Sequence, residues 1–386
     1  MSSQSVDFLN MEDLLTDQEK QVQQSVRDFV DQNFLPVVAE HYRNGTFPKE
    51  LISKIGEMGL LGCNLEGYGC AGLNNIEYGI IMKELERGDS GLRSFASVQT
   101  SLCMFPIYTY GTEEQKKKWL PEMAAGRKIG CFGLTEPDFG SNPGGMLTTA
   151  KPVGDKFILN GTKRWITNGT IADAAVIWAK LNNEVQGFLV PTNSKGFIAR
   201  DIPGKLSLRA SVTSELILED CEVSADAILP EAKGLKAALN CLTQARYGIV
   251  WGAIGAAEAC YLEALNFAKE RESFGQPLAQ KQLVQSKLVW MLTEITKAQL
   301  LALRLGQLKD AKTLKHYQVS MGKMNNVGRA LEISRVARDI LGANGVSDEY
   351  QSMRHMCNLE SVNTYEGTYD IHSLIVGNEI TGSVAF

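Results

Sequence analysis

The chain has 386 residues, 44% hydrophobic and 22% charged, and its 39 basic and 44 acidic side chains leave a net charge of −5. This near-average composition excludes collagen-like and largely disordered chains, and the lack of a broad positive field argues against a nucleic-acid partner. At roughly 150 residues per domain the length predicts two or three domains with ample core.

No uninterrupted run of about 18 apolar residues occurs, so no membrane-spanning helix is expected. The N-terminal stretch MSSQSVDFLNMEDLLTDQEK is acidic and lacks a basic segment followed by an apolar core. The chain ends in TGSVAF rather than the peroxisomal tripeptide. A cytoplasmic protein is expected, with a processed mitochondrial matrix form as the alternative. The eight Cys lack short paired spacings and read as free thiols of a reducing compartment. The four His are far apart, and neither C-x-x-C nor H-E-x-x-H is present, so no metal site is expected.

In chain order, residues 1–130 read mainly as helices. MEDLLTDQEKQVQQSVRDFVDQNFLPVV has apolar residues near a 3.6 period, and FPKELISKIGEMGLL and NNIEYGIIMKELERG repeat it. Thr112 is a predicted N-cap, with Gln115 at the capping-box position. Over 131–235 the period changes to two, and Asn160-Gly161 between two β-prone runs predicts a hairpin turn. Further strands are predicted in AAVIWAKL, VQGFLVPT, GFIARDI and SELILEDCEV, which suits a small antiparallel barrel or sandwich. Over 236–386 the chain is helical again, with long helices apolar on more than one face. The reading is an α+β multidomain chain in three regions that pack on one another.

Three segments carry candidate chemistry. Gly67-Tyr68-Gly69-Cys70-Ala71-Gly72 matches the dinucleotide pattern G-x-G-x-x-G, with Glu86 near the ribose offset. A helix precedes it and no βα alternation follows, so a glycine-rich turn between helices is expected instead. The segment from Cys131 to Pro143, with Trp165-Ile166-Thr167-Asn168, could present backbone N–H groups, the Thr135 and Ser141 hydroxyls and an aromatic face to a polar heteroaromatic ring. From those residues alone, an ordinary strand end followed by a hairpin is the preferred reading. Asn363-Thr364-Tyr365-Glu366-Gly367-Thr368-Tyr369-Asp370 joins two helices, and Glu366 there could point into a cleft and act as a general base. Its plain alternative is a solvated acid.

With these residues in view, the chain resembles the acyl-CoA dehydrogenase family, and within it the branch acting on glutaryl-CoA. The carriers are LERGDSGLRSFASVQTSL (85–102), GCFGLTEPDFGSNPGGM (130–146), GTKRWITN (161–168), ARYGIVWG (245–252), RESFGQPLAQKQ (271–282), ARDILGANGVSDEY (337–350) and NTYEGTYDIHSL (363–374). The resemblance implies an N-terminal helical domain, a middle β domain and a C-terminal four-helix bundle, in a homotetramer that binds FAD.

It further implies that the flavin ring lies against Phe132, Leu134, Thr135, Ser141, Trp165, Ile166 and Thr167, with Thr368 and Asp370 in the same cofactor set. Arg271, Phe274 and Gln282, with Asp339, Gly342 and Ala343, would hold the FAD pyrophosphate and adenosine across a subunit interface. Arg suits that task, because its planar donor fork matches phosphate. Glu86, Arg93, Ser94, Ser141, Arg246, Tyr365 and Gly367 would bind the acyl-CoA. Glu366 would remove the α-proton while the β-hydrogen leaves as hydride to flavin N5. The Glu366 backbone N–H and a flavin ribityl hydroxyl would stabilise the enolate oxygen. An electron-transfer flavoprotein would take the electrons.

Substrate choice, on this resemblance, rests on Arg93, since a glutaryl tail ends in a carboxylate that is costly to bury unpaired. An interhelical salt bridge is the alternative reading of Arg93. Tyr365 stands where the non-decarboxylating branch has Val, which favours loss of CO2 to give crotonyl-CoA. Four positions depart from the family pattern: Phe105, Asn142, Ser273 and Asn378. Tyr369 also resembles the related short-chain oxidases. Dehydrogenation or oxidation of another short acyl-CoA therefore stands as the second reading.

Overall fold

The computed structural model describes residues 6–384; the extreme ends, part of the stretches read for targeting signals, lie outside them. Helix α1 (Asp17–Phe29) begins at Thr16, whose hydroxyl accepts from the Glu19 N–H while the Glu19 carboxylate accepts from the Thr16 N–H. A π-helical turn, Val30–Phe34, leads into α2 (Leu35–Asn44), whose first turn contains Pro36 and therefore lacks one N–H. Next come α3 (Ile52–Glu57), α4 (Asn75–Gly88) and α5 (Ser90–Ser97), a second π-helical turn (Val98–Met104), then α6 (Phe105–Tyr110) and α7 (Glu113–Ala124). The Thr112–Gln115 capping box forms as expected. Residues 67–72 form turns between α3 and α4 with no strand before them, as their context predicted.

The β region comprises β1 (Gly130–Gly133), β2 (Thr149–Val153), β3 (Lys156–Thr167), β4 (Ala174–Leu181), β5 (Glu184–Pro191), β6 (Phe197–Asp201), β7 (Thr213–Ser224) and β8 (Ile228–Lys233). The order is β6-β7-β3-β2-β4-β5-β8, with β1 also on β4. The sheet is mixed rather than wholly antiparallel, because β1 and β2 both run parallel to β4.

The hairpin predicted at Asn160-Gly161 does not form. Strand β3 runs straight through the pair, which sits at a bulge opposite β7. Asn160 and Asp220 bond reciprocally there, Asp220 N–H to Oδ1 at 2.8 Å and Asn160 Nδ2 to Asp220 Oδ1 at 3.1 Å. A Cβ on Gly161 would stand 2.3 Å from Thr148 Oγ1, so a glycine is needed for close approach rather than for a turn. The two-residue turns fall instead at Gly154-Asp155 and Asn182-Asn183. Both Asn lie in the left-handed region, at φ 51° and 68°, as that tight turn demands.

The C-terminal region holds α8 (Gly234–Glu270), a short hairpin of β9 (Glu272–Ser273) and β10 (Gln276–Pro277), α9 (Gln282–Asp310), α10 (His316–Ile340), α11 (Ser352–Val362) and α12 (Tyr369–Thr381). Among the described residues only α8 is long and apolar enough to cross a membrane, but 83% of its apolar window is buried inside the protein. It packs on α4, α9 and α10. The α4–α8 contact is very close: a Cβ on Gly255 would stand 1.9 Å from the Lys83 carbonyl oxygen. Helices from before and after the sheet thus share one core, while Cys131, Leu159, Phe188 and Leu216 belong to a second core within the sheet.

Candidate active site

A cleft of about 1850 Å³ opens where the three regions meet. That exceeds the several hundred Å³ of a typical small-molecule site and leaves room for two bound molecules. Its walls include Phe132, Leu134, Thr135, Ser141, Trp165, Ile166, Thr167, Ser94, Arg246, Tyr365, Glu366, Gly367 and Thr368, together with the departing residue Asn142. The sequence-predicted segments around 132–143, 165–168 and 363–370 therefore converge on one space.

Local backbone devices aim these groups. A second bulge in β3 falls between Lys163 and Ile166, and Trp165 within it adopts φ 63°. The bulge re-aims the indole, which remains 57% exposed on the cleft wall. The loop from Thr135 to Thr148 is tied down by Glu136. Its carboxylate accepts from Leu147 N (2.6 Å), Thr148 N (3.0 Å) and buried Lys163 Nζ (2.8 Å). Burial pushes the Lys163 ammonium down to about 8, against the pull of Glu136. Two surfaces result: an apolar wall of Phe132, Leu134, Trp165 and Ile166, and the hydroxyls of Thr135, Ser141 and Thr167. That donor set fits a flat heteroaromatic ring with polar edges.

On the opposite side, Thr368 caps α12 by accepting from Ile371 N at 3.2 Å. The preceding residues turn sharply, with Glu366 at φ 53° and Gly367 at φ 99°. Such a backbone is strained for a glutamate and is held by its surroundings. The Glu366 carbonyl accepts from Arg246 Nε at 2.6 Å. Glu366 Oε2 is buried with no hydrogen-bond partner. Burial raises the Glu366 carboxyl above its ordinary value, opposed by the charges of Arg93, Lys323 and Arg246. A half-desolvated carboxyl with a free oxygen on a cleft wall is suited to take a proton from carbon and hold it.

Arg93 is 1% exposed and lies just behind the cleft wall. Its Nε donates to Glu86 Oε2 at 2.7 Å, and its Nη2 donates to the Tyr365 hydroxyl. Glu86 also accepts from Ser90 Oγ at 2.7 Å. Burial is the largest influence and opposes the charged guanidinium, but Glu86, Tyr365 and Glu366 together outweigh it and hold Arg93 above its ordinary value. Ser94 Oγ lies 3.2 Å from the Tyr365 hydroxyl. Tyr365 and Ser94 line the cleft; Arg93 and Glu86 support them from behind.

The other predicted residues lie elsewhere. Arg271 and Phe274 flank and join β9 and β10, Gln282 opens α9, Asp339 lies in the last turn of α10, and Gly342 and Ala343 begin the 3-10 turn that follows it. The ion pair Lys287–Asp339 draws these two groups together. None lines the cleft, and Phe274 is 97% exposed. Asp370 is exposed in the first turn of α12. Among the described residues no cluster of His, Cys, Asp and Glu could hold a metal ion.

Sequence reasoning passed over two groups. Lys205 donates to Leu208 O, Ser211 O and Thr213 Oγ1 within 2.8 Å, and so shapes the loop at 205–211 whose residues reach the cleft. Nothing local marks it. Lys323, on α10, lies behind the Glu366 loop; its signal was available, because it falls in the buried stripe Val319, Gly322, Lys323, Asn326, Ala330.

Family models describing the acyl-CoA dehydrogenase N-terminal, middle and C-terminal domains match residues 16–127, 131–221 and 232–381. The chain is 37% identical over 367 residues to the short-chain specific acyl-CoA dehydrogenase, mitochondrial, of Homo sapiens, covering 93% of this chain and 89% of that protein. Among solved structures it is similar to a glutaryl-CoA dehydrogenase from Mycobacterium smegmatis in complex with FADH2, at 51% identity and a TM-score of 0.98, covering 99% of each chain. It is also similar to a glutaryl-CoA dehydrogenase with glutaryl-CoA bound, at 30% identity and a TM-score of 0.92, covering 95% of this chain and 96% of that one.

Proposed function

From the premise that this chain belongs to the acyl-CoA dehydrogenase family, we propose that it oxidises glutaryl-CoA between Cα and Cβ and then releases CO2 to leave crotonyl-CoA. FAD is its cofactor, and when bound it accepts the β-hydride. The residues that fit it are those of the apolar wall and hydroxyl rim, Phe132, Leu134, Thr135, Ser141, Trp165, Ile166, Thr167 and Thr368.

The chain's own residues do the rest. Glu366 takes the α-proton onto its carboxylate. Its raised pKa lets it keep that proton and return it after the γ-carboxylate leaves as CO2, as the decarboxylating sequence requires. Arg246 holds the Glu366 carbonyl and so fixes the backbone N–H that faces the developing enolate oxygen. Tyr365 and Ser94 would meet the far carboxylate, with the Arg93 charge behind them.

The observation that carries the glutaryl assignment is Arg93, a guanidinium almost wholly buried at the cleft wall. The relatives with glutaryl-CoA dehydrogenase names support it. A second reading, a short-chain monocarboxylic acyl-CoA, draws support from the human short-chain relative and from the pairing of Arg93 with Glu86 already in place. Turnover of glutaryl-CoA against butyryl-CoA, with CO2 release measured, separates them. Faster turnover of butyryl-CoA, or oxidation of glutaryl-CoA without CO2, overturns the first reading in whole or in its decarboxylating part.

An electron-transfer flavoprotein is the proposed acceptor and a homotetramer the proposed assembly. The exposed apolar residues Leu283 (81%) and Val289 (66%) on α9, with Phe274 in the hairpin before it, support self-association on this face.

A further inference from the structure

Lysine 323 is 2% exposed, and among the described residues it makes no ion pair with a carboxylate within 4 Å. Its Nζ donates instead to the Tyr365 carbonyl at 2.5 Å and the Gly367 carbonyl at 2.6 Å. It also lies 5.8 Å from the Tyr365 ring centroid. With Arg246 on the Glu366 carbonyl, three successive carbonyls of this loop are held by two buried cations. Burying an ammonium is costly, and a hydrophobic residue in the same stripe of α10 would pack more cheaply.

The cost is matched by what the loop needs. Glu366 and Gly367 are consecutive residues at positive φ, 53° and 99°, a geometry unfavourable for a glutamate unless its surroundings hold it. Glu366 itself lines the cleft. We propose that Lys323 is a positioning residue for the Glu366 base, clamping the carbonyls on either side of it so that its carboxylate stands at the reacting carbon. This rests on the reading of Glu366 as the base and assigns the group that aims it.

The charged and titratable groups facing Lys323 come from four elements. Glu366 and Tyr365 lie on the loop, Arg246 on α8, Arg93 on α5 and His372 on α12. Burial, with the charges of Arg246 and Arg93, pushes the Lys323 ammonium down to about 7, while Glu366 supports it. In return Lys323 helps keep Glu366 ionised.

The test is stopped-flow flavin bleaching by acyl-CoA in the FAD-loaded enzyme across pH. Lys323→Met should slow bleaching by about tenfold or more while KM changes by less than about threefold, because a misaimed base costs rate rather than binding. The acid limb should also move to higher pH, since a positive neighbour of Glu366 is gone. Lys323→Arg should keep the limb in place. If Lys323→Met does not retain FAD, the same readings are taken on Lys323→Gln. An unchanged bleaching rate, or a slower rate with the limb unmoved, overturns the proposal. Glu366→Gln is the separate control: bleaching that persists there overturns the base assignment, whatever Lys323 does.

Discussion

The Arg93 guanidinium donates to the Tyr365 hydroxyl from one arm and to Glu86 from the other. The positive charge that would select a dicarboxylate is therefore already paired and already hydrogen-bonded to the residue beside the proposed base. A substrate carboxylate would meet the Tyr365 hydroxyl with that charge directly behind it. Truncating one side of a buried charge pair typically costs roughly 2–5 kcal/mol. Arg93→Ala should lose that much of the preference for glutaryl-CoA over butyryl-CoA, read as the ratio of kcat/KM values. An unchanged ratio would reduce Arg93 to an interhelical tie.

Glycine 252 faces this pair from α8. A Cβ there would lie 2.0 Å from Glu86 Oε2 and 3.2 Å from Arg93 Nε. Neither neighbour is free to yield, since Glu86 is fully buried and bonded through both oxygens. Gly252→Ala should cost about 1–3 kcal/mol of stability, as overpacking does, and should erode the glutaryl preference along with it. Thermal unfolding and the same specificity ratio report the two effects. A variant as stable and as selective as the parent would show that the pair moves freely.

Glutamate 136 offers a test of the cofactor wall. It accepts from two backbone N–H groups and from Lys163, whose ammonium has no other carboxylate partner among the described residues. Removing one member of a buried pair costs on the order of 3–5 kcal/mol. Glu136→Leu should loosen the loop carrying Ser141, lower the melting temperature and reduce the flavin-to-protein ratio on purification. A parental flavin ratio would mean that this loop is not part of the cofactor wall.

The contrast between Glu366 and Lys323 marks how far the sequence could be read. Glu366 was legible because its run of Tyr, Gly and Thr neighbours signals a loop, and a loop acid can face a cleft. Lys323 sits mid-helix among apolar neighbours, and only its place in the buried stripe of α10 hints at a role. The strands were legible from their period of two, but pairing was not. Strand β1 lies parallel to β4 across some 40 residues of intervening chain, and no local pattern encodes such a partner. The Asn160-Gly161 misreading has the same origin. Asn-Gly reports a backbone able to adopt unusual dihedrals, and here a bulge uses that freedom where a hairpin was expected.

The pH dependence of the reaction follows from the Glu366 environment. Burial raises its carboxyl, so the proposed base is protonated, and idle, up to a higher pH than an ordinary glutamate at about 4.3. The rate of flavin bleaching should fall with decreasing pH along a limb centred above that value. Glu366→Asp keeps the carboxyl but shortens its reach, so it should lower the rate at every pH while a limb remains. A parental limb at or below about 4.3 would mean that the carboxyl is solvated when it reacts.

Stability should respond to acid through two other buried groups. His355 and His372 are 0% and 1% exposed. Burial comes first among the causes that push His355 well below its ordinary value and His372 down to about 2. In the unfolded chain both protonate near pH 6.5. Below that pH the unfolded state binds more protons than the folded one, so unfolding becomes easier as pH falls. The slope is at most about 1.4 kcal/mol per pH unit for each histidine. Glu366 works in the opposite sense, because its raised carboxyl binds a proton more readily in the folded state. Two histidines against one glutamate predict a net loss of stability between pH 6.5 and 5. Urea unfolding of the FAD-loaded protein should show this loss, and His372→Gln should flatten it. A stability that rises over that interval would mean that the imidazoles are protonated in the folded protein.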